Sequence, residues 1–349
     1  MKDLPMSEPT RLGVIGCGFF ARNHLHSWKD LHAQGVDLTA VCDIDPEKAK
    51  AAAADFGVPH WYDSPEAMFA AESLDLVDIV TQVRSHKTLV ELAVGAGVAT
   101  IVQKPFGNDL SECRNMVAVA EKAGKFLAVH ENFRFQRAIR MVSEIIASGA
   151  IGEPNWGRIS FRTGYDIYAG QPYLLNEERF VVTDLGVHVL DLARVFFGEV
   201  DHLTAELQKR NPKVRGEDTA TMMLRHASGA VSMVECTYES RRIPDAFPAT
   251  LLEIEGTKGA IAVRANQQID VTSDGKLTSQ DGDAPVLPWA ARPWHVIQES
   301  VYATCEHILQ RFRAGQPADI SGADNFKTYA LCEAAYAAAT SGRAEKPQA

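Results

Sequence analysis

The largely apolar run VTDLGVHVLDLARVFFG at residues 182–198 contains two aspartates and a histidine. Asp184, His188 and Asp191 are spaced four and then three residues apart, which places them on one face of a helix predicted over 184–197. An imidazole ionises near neutral pH, so His188 beside a carboxylate has the chemistry of a general base. The alternative interpretation is a core histidine whose hydrogen bonds are satisfied by a structural carboxylate.

A lysine in the run IVQKPFG is the second group that could take part in a reaction. Lys104 follows a strand predicted over 98–103, and open α/β sheets place their ligands at the carboxyl ends of the strands. Its ammonium group could stabilise negative charge that develops on a substrate oxygen. The alternative is an ordinary surface lysine after a strand.

The stretch RLGVIGCGFFA contains Gly16, Gly18 and Ala21 in the pattern G-x-G-x-x-A, between a predicted strand and a predicted helix. In this pattern the first glycine permits a tight turn and the second lets the backbone approach a pyrophosphate. The small third residue lets the helix pack close to the sheet. The amides of Phe19 and Phe20 would then face the phosphates at the positive end of the helix dipole.

The next predicted strand, over 37–43, ends in a carboxylate that bears on the choice of cofactor. Asp43 stands 22 residues after Ala21, near the spacing at which dinucleotide-binding domains carry the carboxylate for the adenosine ribose. Ile44 follows, and no arginine stands beside it to receive a 2′-phosphate. A carboxylate about 4 Å from such a phosphate costs on the order of 1–4 kcal/mol. The sequence therefore predicts NAD rather than NADP.

Strands and helices alternate over the first 130 residues, which is the pattern of βαβ units and a parallel sheet. Pro46 at a first helical position and Gly57 at a helix end support one of these helices. The predicted strands cover 11–16, 37–43, 74–80, 98–103 and 126–130. The predicted helices cover 18–33, 46–57, 86–97 and 109–124.

After about residue 150 the pattern changes to long β-rich runs, at 154–167, 202–211, 217–240, 249–265 and 267–274. Glycine turns such as HASGA and EGTKGA join two of the pairs, which predicts an antiparallel meander with hairpins. Further helices are predicted at 184–197, 294–313 and 322–341. The predicted fold is a doubly wound, parallel Rossmann sheet followed by an α+β domain with a large, mostly antiparallel open sheet. The predicted boundaries are a flexible N-terminus at 1–10, a nucleotide-binding domain at 11–132 and a second domain at 133–349.

Composition excludes several classes of function. The 349 residues are 46% hydrophobic, which is enough for two domains that each have a hydrophobic core. The net charge is −10 and there is no basic block, so we expect no nucleic-acid partner. The first ten residues lack an apolar signal segment, and no run is long enough to span a bilayer. The six cysteines form no C-x-x-C pair, and the histidines lack metal-ligand spacing. We therefore expect a cytoplasmic protein with neither a membrane partner nor a metal site.

With these motifs, the chain resembles the glucose–fructose oxidoreductase, inositol dehydrogenase and rhizopine-catabolism (Gfo/Idh/MocA) family from about residue 11 to about residue 340. The family's motifs are G-x-G-x-x-A, E-K-P at a strand end and D-x-x-x-H on a helix. The resemblance implies that Lys104, Asp184 and His188 form the catalytic group. One position departs from the pattern, because Gln103 stands where the family usually has glutamate and Lys104 thus lacks a neighbouring carboxylate.

The resemblance implies hydride transfer from a hydroxyl-bearing carbon to nicotinamide, with His188 as general base. In this hypothesis Asp184 or Asp191 orients the imidazole, and Lys104 binds the substrate oxygen. The runs GVIGCGFFARNHL and FRTGYDIYAGQPYLL are most similar to family members that oxidise D-apiose, a branched pentose, at its anomeric carbon to a lactone. Three alternatives stay open: a polyol or inositol dehydrogenase that forms a ketone, an NAD-dependent glycosidase, and a non-catalytic NAD-binding sensor.

Positions at strand ends supply further candidate contacts, and ordinary loop polarity is the alternative for each of them. Those for NAD, besides the glycine-rich turn and Asp43, are Ile44, Thr81, His86, Gln103, Lys104 and Asn132. Those for the sugar or polyol substrate are Lys104, Arg134, Arg162, Tyr165, Asp184 and His188, with Asp166, Trp294 and His295 at similar positions. The resemblance also implies a homodimer or homotetramer formed through the open face of the large sheet.

Overall fold

The computed structural model of the protein describes residues 8–348. The chain forms two compact units, each made of two segments. The first unit contains the residues up to Glu131 together with Val301–Phe326. The second contains Asn132–Ser300 and the residues from Lys327 onward. The segment 301–326 thus groups with the first unit, although the sequence analysis assigns it to the second domain. Of the N-terminus expected to be flexible, residues 1–7 lie outside the described residues, and Thr10 begins the first strand.

The first unit is built on six parallel strands, β1 (Thr10–Ile15), β2 (Val36–Cys42), β3 (His60–Tyr62), β4 (Leu76–Ile79), β5 (Ala99–Gln103) and β6 (Leu127–His130). Their order is β3-β2-β1-β4-β5-β6. Every residue of β4 and β5 is buried, as expected for central strands of a parallel sheet. The predicted doubly wound sheet is confirmed. The short edge strand β3 has too few residues to show a pattern in the sequence.

The α-helices between the strands of this sheet are α1 (Ala21–Asp30), α2 (Pro46–Phe56), α3 (Pro65–Ala71), α4 (His86–Gly95) and α5 (Leu110–Lys122). Helix α2 begins as predicted, because Asp45 accepts a hydrogen bond from the Glu47 amide at 3.1 Å and Pro46 follows it. It ends at Gly57, whose φ of 70° suits a left-handed helix end. Helix α1 is shorter than the predicted 18–33, and α3 was not predicted.

The second unit is built on eight strands, β7 (Pro154–Arg162), β8 (Val200–Gln208), β9 (Thr219–His226), β10 (Val231–Thr237), β11 (Leu251–Gly256), β12 (Gly259–Val263), β13 (Gln268–Ser273) and β14 (Lys276–Asp281). Their order is β14-β13-β12-β11-β7-β10-β9-β8. The predicted meander is wrong at one point, since β7 lies between β10 and β11 and runs parallel to β10. A parallel pair needs a long crossover, and the chain between these strands, which contains a helix, supplies one.

The helices of the remaining chain are α6 (Arg137–Ala147), α7 (Val187–Phe197), α8 (His295–Arg313) and α9 (Gly322–Ser341). Helix α7 continues from a π-helical turn at Val182–Gly186, so the helix predicted to be regular from 184 starts with a wider turn. Nearly every side chain of α7 is buried, and it contacts β7 and β10 in the core of the second unit. In the described part of the chain, no helix has the length and apolarity needed to cross a membrane.

Candidate active site

The glycine-rich turn connects β1 to α1 in the first unit. Gly16 has a φ of +97°, and a Cβ there would lie 2.3 Å from the Val80 carbonyl oxygen, so the turn requires glycine. A Cβ at Gly18 would meet no described atom within 4 Å, which leaves open space above the turn. Among the described residues, none caps the N-terminus of α1 with its side chain or adds an acidic group to its first turn. These features fit a pyrophosphate at this end of the helix.

Asp43 follows β2 and turns its carboxylate toward the same loop. Its Oδ2 accepts a hydrogen bond from the Cys17 amide at 2.8 Å, and its Oδ1 accepts one from the Asp45 amide at 2.9 Å. Burial and the nearby Asp43 raise the pKa of the Cys17 thiol to about 12, so the thiol is neutral at working pH. The apolar side chains of Phe19 and Ile44 are 58% and 89% exposed. The Asp43 carboxylate suits hydrogen bonds to the hydroxyls of a ribose. The exposed apolar side chains suit contact with the flat faces of adenine and nicotinamide rings.

His86 begins α4, but its side chain is wholly buried. Its Nε2 lies 3.1 Å from the Thr81 carbonyl oxygen, and its Nδ1 lies 3.1 Å from that of Pro105 and 3.2 Å from that of Phe106. Burial lowers the pKa of His86, so the ring is neutral at working pH and donates one hydrogen bond. The buried ring therefore lies between the loop after β4 and the loop after β5 and donates to a carbonyl of one of them.

Gln103 ends β5 and is buried, whereas the adjoining Lys104 is partly exposed. The Gln103 Oε1 accepts a hydrogen bond from the Lys104 amide at 2.7 Å, and its Nε2 lies 3.0 Å from Nε2 of His24 on α1. The peptide bond between Lys104 and Pro105 is cis. Gln103 thus contacts the backbone of the candidate catalytic lysine.

In the second unit, Asp184 lies in the π-helical turn and contacts the strand end beneath it. The Tyr238 hydroxyl donates a hydrogen bond of 2.8 Å to Asp184 Oδ2. Burial and the negative charge of Asp184 raise the pKa of Tyr238 well above its ordinary value. Tyr238 therefore remains a neutral donor and holds the carboxylate in place.

His188, one turn further along the same helical segment, is only 4% exposed. Its ring stacks on the ring of Phe133, with 3.9 Å between the centroids and an angle of 5° between the planes. The stacking holds the plane of the imidazole and leaves the edge of the ring, with its nitrogens, for hydrogen bonds.

Asp191 is fully buried, and other residues occupy its oxygens. Arg134 donates to both carboxylate oxygens, with 2.7 Å from its Nη2 to Oδ1, and the Thr328 hydroxyl donates to Oδ1 at 2.6 Å. The predicted face of Asp184, His188 and Asp191 is therefore divided: Asp184 contacts Tyr238, whereas Asp191 anchors the guanidinium of Arg134.

Aromatic rings surround the predicted substrate residue Tyr165. Its ring stacks on Phe247 at 4.3 Å, and its hydroxyl accepts a hydrogen bond of 3.0 Å from the indole of Trp294. The ring of Phe161 lies 6.4 Å from Phe247 and 5.5 Å from Phe133. A continuous series of rings thus connects His188 to Trp294 within the second unit.

Several other predicted contacts have structural partners. Nη1 of Arg162 lies 3.4 Å from Oε2 of Glu235. The side-chain amide of Asn132 donates a hydrogen bond of 2.7 Å to the Ser300 hydroxyl. Asp166 caps a short 3₁₀ helix. His295 is buried, with its Nε2 2.8 Å from Asp283 Oδ1.

Comparisons with known proteins place these features in one family. A model of the Gfo/Idh/MocA oxidoreductase family, with an NAD-binding Rossmann fold, matches residues 10–131, and a model of the GFO/IDH/MocA C-terminal domain matches residues 139–262. D-apiose dehydrogenases of Rhizobium rhizogenes and Paraburkholderia graminis are each 47% identical over 330 residues, which are 95% of this chain and 95% and 88% of the relatives. The chain belongs to the Gfo/Idh/MocA family.

A solved structure agrees with this assignment. The crystal structure of an oxidoreductase from Agrobacterium radiobacter in complex with NAD⁺, L-tartaric acid and magnesium matches with a TM-score of 0.95 and 46% identity, over 97% of this chain and 98% of that chain. This Gfo/Idh/MocA protein is an NAD-binding oxidoreductase. The prediction of NAD as cofactor is confirmed.

The structure also brings forward residues that the sequence analysis did not single out. Tyr238, Phe133 and Phe247 contact predicted site residues, and His24 contacts Gln103. Tyr238 is 54 positions from Asp184, and His24 is 79 positions from Gln103. No local pattern in the sequence marks contacts of such separation.

Proposed function

We propose that this Gfo/Idh/MocA protein oxidises D-apiose, or an aldose of the same class, at the anomeric carbon to a lactone. The observation that carries the substrate is the 47% identity, over 95% of the chain, to two D-apiose dehydrogenases. The hydroxyl proton and the hydride on the anomeric carbon both leave, and a carbonyl forms between that carbon and its oxygen. NAD, when bound, accepts the hydride.

The first unit holds the cofactor in this proposal. The turn from Gly16 to Ala21, including Phe19 and Phe20, faces the pyrophosphate with its amides, and Asp43 accepts hydrogen bonds from the adenosine ribose. The predicted contacts that lie in this unit are completed by Ile44, Thr81, Gln103 and Lys104. Asn132 belongs to the second unit, where its side-chain amide donates to the Ser300 hydroxyl. For His86 we propose an indirect role, because the buried ring faces backbone carbonyls.

His188 takes the hydroxyl proton as general base. Asp184 orients its imidazole and stabilises the protonated form, with Tyr238 as the donor that holds Asp184. We assign the orienting role to Asp184 rather than Asp191, because Arg134 and Thr328 already occupy the oxygens of Asp191.

Lys104 donates a hydrogen bond to the substrate oxygen and stabilises its developing negative charge. Arg134, held by the buried Asp191, and Arg162 supply further donors for sugar hydroxyls. Tyr165 and its ring partners Phe247 and Trp294 offer an aromatic face against which the apolar side of a sugar ring can lie.

We further propose that the protein is a cytoplasmic homodimer or homotetramer. None of the six cysteines, all of which lie among the described residues, forms a disulfide, which suits a reducing compartment. The exposed methionines of β9 and β10, Met223 and Met233, form an apolar patch on the open face of the sheet that a second copy can cover.

The test is NADH absorbance with purified protein, NAD or NADP, and a panel of D-apiose, other aldoses and myo-inositol. We expect NAD reduction with D-apiose and release of a lactone. Activity on myo-inositol alone would replace anomeric oxidation by ketone formation. NAD binding without any oxidation would favour a glycosidase or a sensor.

Replacing the lysine tests its assigned role. We expect Lys104→Ala to lower kcat/KM by about 10²–10³-fold, the usual effect of removing one donor to a developing oxyanion. The matched control is Lys122→Ala, which removes an exposed lysine at the end of α5. Full activity of Lys104→Ala would refute the assignment.

A further inference from the structure

A buried chain of hydrogen bonds leads from the centre of the parallel sheet to Lys104. Asp78 lies in β4 and is wholly buried. Its Oδ2 lies 2.8 Å from Nδ1 of His24 and 2.7 Å from the indole nitrogen of Trp28. His24, also wholly buried, contacts Gln103, which contacts the Lys104 amide.

The backbone amide of Lys104, at the end of this series, determines which atom donates and which accepts in each hydrogen bond back to Asp78. A backbone amide can only donate, so the atom of Gln103 that faces the Lys104 amide is the side-chain oxygen. The side-chain NH₂ of Gln103 must then face Nε2 of His24, which accepts. The ring proton of His24 is therefore on Nδ1, where it donates to Asp78.

The carboxylate at the start of this series is held by two donors. Asp78 Oδ2 accepts hydrogen bonds from His24 Nδ1–H and from the indole N–H of Trp28, which stabilise a carboxylate, whereas burial opposes its ionisation. Two donors on one buried carboxylate oxygen fix the orientation of the His24 ring.

We propose that Asp78, His24 and Gln103 form a positioning relay that holds the backbone of Lys104, and so sets where its ammonium group meets the substrate oxygen. The proposal rests on the function proposed for Lys104. Small displacements of a catalytic group are costly in rate, so the relay acts on the catalytic step rather than on NAD binding.

The relay also accounts for glutamine at position 103. The side-chain amide of Gln103 accepts from the Lys104 amide with one atom and donates to an unprotonated Nε2 of His24 with the other, which an ionised glutamate could not do. A glutamate would bring a second acceptor against that nitrogen. Gln103 and His24 are thus matched to each other.

His24, His130 and Cys305 could also be taken for a metal site, since their ligand atoms lie within 4.8 Å of one another. The imidazoles of His24 and His130 are packed ring against ring, with centroids 4.1 Å apart. The lone pair of His24 Nε2 already accepts from Gln103. The geometry therefore favours the relay.

The test compares His24→Asn and Gln103→Leu with Gln103→Glu and with a matched control. The control is His226→Asn, because His226 is a buried histidine of β9 with a partner at each ring nitrogen, Gly198 and Ser232. Two readouts are kcat and KM for sugar oxidation. The third is hydrogen exchange at the Lys104 amide, which needs no activity.

We expect His24→Asn and Gln103→Leu to lower kcat by about 10–100-fold, as for other residues that orient a catalytic group. In His24→Asn, which alters no predicted NAD contact, KM for NAD should change less than about twofold. Exchange at the Lys104 amide should rise about tenfold or more in both. Gln103→Glu, which keeps an acceptor for that amide, should recover part of kcat. His226→Asn should leave kcat and this exchange unchanged.

The proposal fails if His24→Asn keeps wild-type kcat and wild-type exchange at Lys104 while Lys104→Ala is inactive. If the wild-type enzyme oxidises no sugar, the function proposed for Lys104 fails, and the exchange rates alone decide whether the relay exists. Metal analysis of the purified protein is a further check. One bound zinc ion that is lost in His24→Asn would show that Nε2 binds metal rather than Gln103.

Discussion

At the residue scale, we propose that the Asp43 carboxylate sets the preference for NAD over NADP. Its carboxylate accepts hydrogen bonds from the backbone amides of Cys17, in the glycine-rich turn, and of Asp45, in the loop after β2, so it lies beside the turn. We expect Asp43→Asn to lower the NAD-to-NADP ratio of kcat/KM by about fivefold or more, since repulsion of the 2′-phosphate is worth on the order of 1–4 kcal/mol. Initial rates with both cofactors measure this ratio.

The control for this change is Asp37→Asn, at the other end of β2, where the side chain is exposed. It removes the same charge from the same strand without touching the turn. Equal NAD-to-NADP ratios of kcat/KM for Asp43→Asn and Asp37→Asn would mean that the Asp43 carboxylate does not set the preference for NAD.

The residue types in the sequence indicate the chemistry of the proposed site, but they do not show which side chains already have hydrogen-bond partners. His86 and Asp191 both follow from patterns in the sequence, and both are held by neighbours, backbone carbonyls for His86 and Arg134 for Asp191. Asp184 is likewise held by Tyr238. Hydrogen-bond partners of this kind come from distant parts of the chain, so local spacing does not reveal them.

At the scale of elements, an ion cluster joins the end of α7 to the strand that follows. Glu199 accepts hydrogen bonds from Arg194 at 2.9 and 3.1 Å and from Lys327 at 3.1 Å. The hydrogen bond from Arg194 is the largest cause of a lowered pKa for Glu199, from 4.5 to about 2. The folded pKa lies below the unfolded one, so this stabilisation is fully present above about pH 4.5 and is lost as the pH falls toward 2.

We therefore expect Glu199→Gln to lower Tm at pH 7 by about 2–4 °C, which corresponds to a loss of about 1 kcal/mol in the free energy of unfolding. The difference in Tm between wild type and variant should shrink as the pH falls from 4.5 toward 2. Thermal melts of both proteins across this range provide the measurement. The control is Glu253→Gln, an exposed glutamate of β11. A difference that stays constant down to pH 2.5 would contradict the assignment.

At the scale of the whole molecule, the open sheet face predicts self-association. Met223 and Met233 are directly opposed on β9 and β10 and are 56% and 38% exposed. Exposed apolar neighbours of this kind mark interaction surfaces. We expect light scattering to show a dimer or tetramer at micromolar concentration, and the double variant Met223→Glu, Met233→Glu to shift it toward monomers.

The matched control is Ile243→Glu, which adds the same charge at an apolar residue that is 94% exposed and lies outside the strands. It should leave the oligomeric state unchanged. A wild-type protein that is monomeric at this concentration would contradict the proposed assembly.

By itself, the sequence determined the order of most strands and helices, the glycine-rich turn and the change from a parallel to a mostly antiparallel sheet. These features depend on periodicity and turn residues within short windows, where backbone geometry and burial act locally. The same windows contain Lys104, Asp184 and His188, so the proposed catalytic residues could be named in advance.

Only the tertiary structure decided which contacts join distant segments. The parallel pairing of β7 with β10, the ring series from His188 to Trp294, and the relay from Asp78 to Lys104 each bring together residues dozens of positions apart. Such contacts arise from packing of whole elements against one another, and no local preference of the chain specifies them. The residues of the proposed site are therefore readable in the sequence, whereas their positioning is a property of the folded chain.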